Sequence, residues 1–287
     1  MDNYLNLIDE SLSKYAKVCY PEIIYESINY SLMSGGKRIR PKLMLASCEA
    51  VGGDINIAIP FACAIEMIHT YSLIHDDLPS IDNDDFRRGK KTNHKVYGEG
   101  MATLAGDALL NLAYEVMSLE CLKNPNRERI LSMNEIAKAA GTQGMIGGQV
   151  VDITSENKNN VSHEELEYIH THKTGALIKT SFYVGAVLGG AEDDLANTLR
   201  EVGALIGFAF QIKDDLLDVQ STDKTLGKPI NSDIKNNKVT YVTLYGEEKA
   251  QRDFEYHTNK AIELLDSRSL KNKYLQQLAH DLLKRIK

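Results

Sequence analysis

The chain has 287 residues, 43% hydrophobic and 25% charged, which is the composition of a globular protein large enough to bury its own core. Its net charge of −7 argues against a nucleic-acid partner, which would require a dominant basic surface. The four cysteines, Cys19, Cys48, Cys63 and Cys121, form no CxxC pair and no zinc spacing. Cys48 and Cys63 lie among apolar neighbours and read as buried reduced thiols of a cytoplasmic protein.

Apolar residues recur at three- and four-residue spacing, and only six prolines interrupt the chain. The pattern predicts helices over 3–18, 21–33 and 41–51. Between the second and third lies Ser34-Gly35-Gly36-Lys37-Arg38-Ile39-Arg40-Pro41. Two glycines let backbone approach a ligand, Pro41 opens the next helix, and Lys37 and Arg40 beside the free N–H groups make a candidate anion site. The spacing is not that of a P-loop. Gly52-Gly53 stops the third helix. The fourth, over 58–76, places His69, Ser72, Leu73 and Asp76 on one face. Pro79 ends it, so Asp82 comes from a loop that can fold back beside Asp76. Further helices are predicted over 102–121, 127–151, 163–188 and 194–219, with a broken one over 239–285. Ser162 and Glu165 form a capping box at the start of the 163–188 helix, and Gly189-Gly190 stops it. The one strand-like run, Lys238 to Thr243, is short and solitary. With no linker or internal repeat, residues 1–287 read as a single all-α domain. The start, Met1-Asp2-Asn3, lacks the pattern of a signal peptide, and no apolar run approaches the roughly 20 residues of a membrane span.

Two acidic clusters carry the chemistry. In the second, Gln211, Asp214, Asp215 and Asp218 fall at i, i+3, i+4 and i+7, on one face of a helix whose preceding segment, Gly203 to Phe210, is almost wholly apolar. A solvated acidic face is the ordinary explanation for such a run, but it does not suit a buried helix. Oxygen donors at this density suit a hard cation, Mg²⁺ or Ca²⁺. The first cluster holds Asp76, Asp77, Asp82, Asp84 and Asp85, followed by Arg87-Arg88-Gly89. It lacks the spacing of a calcium loop. Carboxylates with arginines fit a metal-bound phosphate: Asp holds Mg²⁺, Mg²⁺ holds phosphate oxygens, and Arg takes the remaining oxygens. Surface ion pairing of Arg87 and Arg88 with Asp84 and Asp85 is the plain alternative.

These motifs together resemble the trans-isoprenyl diphosphate synthases. The resemblance rests on GGKRIRP at 35–41, on Asp76-Asp77-x4-Asp82 with Arg87-Arg88-Gly89, and on Gln211-x2-Asp214-Asp215-x2-Asp218. Gly147-Gly148-Gln149-x2-Asp152 and Lys173-Thr174-Gly175 stand between the two acidic motifs and Gly227-Lys228-Pro229 follows the second, in family order. The run from Ile68 to Pro79 is most similar to the bacterial farnesyl diphosphate synthases. The resemblance implies an isoprenoid synthase-type bundle of antiparallel helices around a central cavity, and a homodimer. Asp76, Asp77 and Asp82 would hold Mg²⁺ from one wall, and Asp214, Asp215 and Asp218 from the facing wall. Arg87, Lys173, Gln211 and Lys228 would bind the allylic diphosphate, with Thr174 near the reacting carbons. Lys37, Arg40, His69 and Arg88 would bind isopentenyl diphosphate. The partner substrate would be dimethylallyl or geranyl diphosphate.

Tyr71 and Ser72, about one turn before Asp76, would floor the hydrocarbon pocket. A bulky Tyr71 favours a C15 product, farnesyl diphosphate, over the C20 geranylgeranyl diphosphate; otherwise it is a packed core tyrosine. His75-Asp76 also matches the metal dipeptide of HD phosphohydrolases, with His163, His170 and His172 as candidate ligands. That reading leaves the second acidic cluster and GGKRIRP unused. A regulatory subunit would be expected to lack aspartates that are present here. A class I terpene cyclase would not need the anion site of Lys37, Arg40 and Arg88.

Overall fold

A computed structural model of the protein describes residues 2–156, 158, 161–220, 239–271 and 273–283. The all-α expectation holds. Among the described residues, strand is confined to a two-stranded ribbon, β1 (Phe86–Arg87) paired antiparallel with β2 (Lys90–Lys91). The chain divides into two compact units, one of residues 1–45 and 54–134, the other of 46–53 and 135–287.

The first unit contains α1 (Asp2–Tyr15), α2 (Glu22–Leu32), the start of α3 (Ile39–Ala50), α4 (Ile55–Asp76), α5 (Asn93–Tyr97) and α6 (Glu99–Lys123). Its centre is α4, capped by Asp54, whose side chain accepts from the Asn56 N–H. Phe61, Ile65, Met67 and Ile68 of α4 are fully buried, and the helix packs against α1, α2 and α6. By length and composition α4 could cross a membrane, contrary to the sequence expectation, yet 72% of its most apolar window is buried inside the protein. Gly106 lets α6 approach the end of α4: a Cβ there would lie 2.1 Å from His75 Nε2.

The second unit contains the C-terminal part of α7 (Arg127–Ala140 overall), α8 (Met145–Ser155), α9 (His163–Ile169), α10 (Gly175–Leu188), α11 (Asp193–Gln220), α12 (Tyr241–Tyr245), α13 (Glu247–Asp266) and α14 (Tyr274–Leu283). α10 buries Leu177, Ile178, Phe182 and Val184, and packs on α11 at close range. A Cβ on Gly203 would lie 2.8 Å from Lys179 Cα, and one on Gly207 would lie 3.0 Å from Gly175 Cα. α11 packs in turn on α13.

Several predicted boundaries move. The helix predicted over 127–151 is two helices, broken where Gly144 takes φ −133°, ψ −131°, and a Cβ there would collide with Ala139 O at 2.2 Å. The predicted 163–188 helix starts with the expected capping box of Ser162 and Glu165, but a π-helical turn at His170–Thr174 interrupts it. The predicted 239–285 helix is three, separated at Gly246 (φ 82°) and after Asp266. The described part of the strand-like run is instead a capped helix start, with Thr240 accepting from the Thr243 N–H.

Candidate active site

In the first unit the loop after α4 folds back as its sequence requires. The Asp82 N–H donates to Asp76 O at 2.8 Å, so the two half-buried carboxylates stand on adjacent backbone. Asp77 is turned inward, 3% exposed. Its carboxylate receives Arg87 Nε at 2.7 and 2.9 Å and Arg87 Nη2 at 2.6 Å, a bidentate grip that fixes the guanidinium. The plain ion-pair reading is thereby limited. Arg87 reaches Asp84 only at 3.7 Å, and Asp85 pairs with Lys95 at 2.7 Å.

Arg88, on left-handed backbone with φ 53°, donates to Gly35 O and lays its guanidinium over Gly36. Gly36 holds φ 132°, backbone that favours glycine, and a Cβ on it would lie 2.8 Å from Arg88 Cζ. His69 lies close enough to Arg40, Arg88, Arg87 and Arg38 to feel their charge. Burial first, then these guanidinium groups, hold its pKa well below the ordinary histidine range, so the imidazole is neutral. The unit therefore gathers Arg40, His69 and Arg88 about one loop, with Lys37 exposed on that loop. Pro41 falls in the first turn of α3, two residues inside its start.

Tyr71 is 6% exposed and stands edge-on to His75, with ring centroids 5.7 Å apart. Its hydroxyl has no hydrogen-bond partner among the described residues. Burial, with Tyr114 and Asp76 nearby, pushes its pKa up to about 12. Ser72 Oγ donates back to His69 O at 2.9 Å. His75 Nε2 sits 3.0 Å from Thr103 O. A backbone carbonyl thus engages one ring nitrogen of the histidine that the phosphohydrolase reading would give to metal.

The second unit holds a cavity of about 180 Å³, lined by Asp152, His170, Lys173, Thr174, Gln211 and Asp215 among others. The π turn supplies three of these residues, as such turns often do at functional sites. α8 reaches that turn through Gly148, where a Cβ would lie 2.1 Å from Lys173 N. Lys173 Nζ meets Asp152 Oδ2 at 2.5 Å. Thr174 Oγ1 donates to Gln211 Oε1 at 2.8 Å, and Gln211 Nε2 to Asp215 Oδ1 at 3.4 Å. Asp215, 6% exposed, also accepts the Tyr241 N–H at 2.7 Å. Asp214 and Asp218 are half-buried on the same helix. Lys228 lies outside the described residues.

Of the six lining side chains named, Asp152 and His170 have no role in the synthase reading of the sequence. Asp152 figured only as a motif signpost, although a lone carboxylate three residues after Gln149 on a helix was its available signal. His170 serves only the rival phosphohydrolase reading of the sequence. Here it packs 3.5 Å from Asp215 Oδ2, and burial lowers its pKa to about 4. The other two histidines of that rival reading are engaged as well: His163 packs edge-on to Tyr245, and His172 Nδ1 lies 3.0 Å from Tyr168 O.

The family model for polyprenyl synthetase matches residues 21–281. The chain belongs to this family. It is a prenyl diphosphate synthase, hence a prenyltransferase, with the all-α isoprenoid synthase fold. It is 46% identical over 270 residues to a geranylgeranyl diphosphate synthase of Cyanophora paradoxa, covering 90% of each chain. It is also 46% identical over 256 residues to a farnesyl diphosphate synthase of Geobacillus stearothermophilus, covering 88% of this chain and 86% of the other. Geranylgeranyl pyrophosphate synthetase of Pyrococcus horikoshii superposes with a TM-score of 0.88 at 33% identity, over 98% of this synthase and 96% of that chain. A geranyltransferase of Helicobacter pylori, solved with magnesium and isoprenyl diphosphate, gives 0.83 at 32% identity, over 98% and 95%.

Proposed function

We propose that this synthase makes farnesyl diphosphate, joining isopentenyl diphosphate head-to-tail to dimethylallyl or geranyl diphosphate and stopping at C15. The observation that carries the chain length is Tyr71, a buried ring five residues before Asp76 on α4. A ring there can end a hydrocarbon pocket, because excluding five further carbons requires a wall. The relatives include both C15 and C20 enzymes, so the product of the wild type decides. A main product of C15, moving to C20 or longer in Tyr71→Ala, supports the reading. A wild type making mainly C20 removes it.

The donor set fits Mg²⁺. All the acidic-cluster donors are carboxylate oxygens, and among the described residues no three histidine, cysteine or carboxylate side chains converge into a closed metal cage. Mg²⁺ characteristically takes one or two carboxylates and completes its shell with substrate phosphates and water. In the first unit Asp76 and Asp82 are the residues that would hold it; in the second unit they are Asp214 and Asp218. Asp77 and Asp215 would complete the acidic set while fixing Arg87 and Gln211. Bound there, Mg²⁺ would neutralise charge developing on the departing diphosphate.

The chain's own residues then have defined tasks. The allylic C–O bond breaks with its electron pair leaving on diphosphate, whose charge Arg87, Lys173 and Lys228 offset. Gln211, held by Thr174 and Asp215, is fixed beside Lys173. Lys37, Arg40, His69 and Arg88 hold isopentenyl diphosphate, whose double bond supplies the pair for the new C–C bond. A proton then leaves the adjacent carbon, and the released diphosphate is its acceptor. Neutral His69 can donate or accept a hydrogen bond in that group without adding charge. The two units act as one functional domain, in a cytoplasmic homodimer. The family match over residues 21–281 supports one functional domain.

A further inference from the structure

Within the anion-site loop, one basic residue is oriented opposite to its neighbours. Lys37 is exposed and Arg40 half-buried, but Arg38 between them is 3% exposed. Each of its three guanidinium nitrogens donates to a different element. Nε donates to Asp9 of α1 at 2.9 Å, Nη1 to Glu66 of α4 at 2.9 Å, and Nη2 to Leu32 O at the end of α2 at 2.6 Å. Its backbone is left-handed, φ 48°, a conformation that residues bearing a side chain seldom adopt. Such backbone persists where the surroundings over-determine it. Arg38 O also accepts the Lys42 N–H at 3.1 Å, so the same residue starts α3.

We propose that Arg38 is the positioning residue of the isopentenyl diphosphate site, setting where Lys37 and Arg40 stand relative to His69. Glu66 and His69 are three residues apart on α4 and therefore neighbours on its surface. Pairing Arg38 with Glu66 registers the loop against the face that carries His69. Arg88 grips the same loop at Gly35 and Gly36. The loop is thus held at its two glycines by Arg88, and at the residue between its two proposed ligand-binding cations by the Asp9–Arg38–Glu66 triad. No part of this triad need touch substrate. The inference rests on the assignment of isopentenyl diphosphate to this loop.

Removing Arg38 alone strands Glu66 in the interior and can unfold the protein, whereas replacing both partners by apolar residues of similar volume is tolerated in comparable triads. The test is therefore Arg38→Met with Glu66→Met, beside Arg38→Lys. Melting temperature reports folding. Calorimetric titration with isopentenyl diphosphate and steady-state kinetics for both substrates report the site. The double variant should melt close to wild type, yet lose at least ~10-fold in isopentenyl diphosphate affinity, the size of one displaced charge-assisted contact. Its KM for the allylic substrate should stay within about 3-fold, since the loop belongs to the other diphosphate. Arg38→Lys, which keeps the charge but not the three-way fork, should fall between. A folded double variant with unchanged isopentenyl diphosphate affinity, or with equal losses for both substrates, would overturn the inference. Failure of the wild type to bind isopentenyl diphosphate would overturn the site assignment itself, and the inference with it.

Discussion

Asp76 and Asp77 are adjacent in sequence and differ in surroundings, and so do Asp214 and Asp215. The first of each pair is half-buried; the second is buried against protein donors. Spacing alone displays six equivalent carboxylates, because helical periodicity says which face a residue shares and not which partner reaches it first. Asp76→Ala and Asp214→Ala should each lower the condensation rate at least ~10²-fold, since each removes charge stabilisation from the transition state. A rate near wild type in either variant removes that residue from the mechanism. Arg40→Ala should raise KM for isopentenyl diphosphate more than for the allylic substrate, and Lys228→Ala the reverse. Equal effects would argue against two separate anion sites. His69 adds a pH dependence. Its folded pKa lies below the unfolded value, so the unfolded chain binds the proton more readily. Its contribution to stability is complete above the unfolded pKa of about 6.5 and declines as pH falls below it. His69→Gln should flatten the fall of melting temperature between pH 7 and pH 5; an unchanged slope would assign that fall to other groups.

At the scale of elements, the long apolar helices were legible and the irregular turns were not. α4 and α11 follow their periodic patterns closely, and Ser162, Gly52-Gly53 and Gly189-Gly190 mark ends where capping chemistry places them. The π turn at His170–Thr174 left no trace in periodicity, because its five residues, His-Thr-His-Lys-Thr, are all polar and carry no apolar pattern to be shifted. Its trace is instead the glycine facing it. Gly148 has no room for a methyl group against Lys173 N, so Gly148→Ala must push α8 away from the turn. That variant should lose at least about 1 kcal/mol of stability, as overpacking does, and should weaken allylic substrate binding by moving Asp152 from Lys173. Wild-type melting and KM together would show that the turn is not held by this contact. Ser162→Ala, which removes one cap at an exposed residue outside the cavity lining, should cost about 1 kcal/mol and leave both KM values unchanged.

Across the whole molecule, the family was readable from motif order, because chemistry fixes residue types at the diphosphates more tightly than packing fixes the core. Product length was less readable, since it depends on the depth of an apolar pocket, and a tyrosine five residues before Asp76 signals a wall only once its burial is known. The buried Tyr71 hydroxyl, with no partner among the described residues, supports a ring held in place by shape. A homodimer should appear in light scattering at about twice the 32.0 kDa chain mass, the two-fold assembly commonest among soluble oligomers. The most direct test of the central claim is turnover with isopentenyl diphosphate, geranyl diphosphate and Mg²⁺, the products separated by chromatography with and without EDTA. The synthase should release farnesyl diphosphate as its main product, lose that activity in EDTA and regain it with added Mg²⁺. A main product of C20, absence of any prenyl diphosphate longer than the primer, or full activity in EDTA would contradict it.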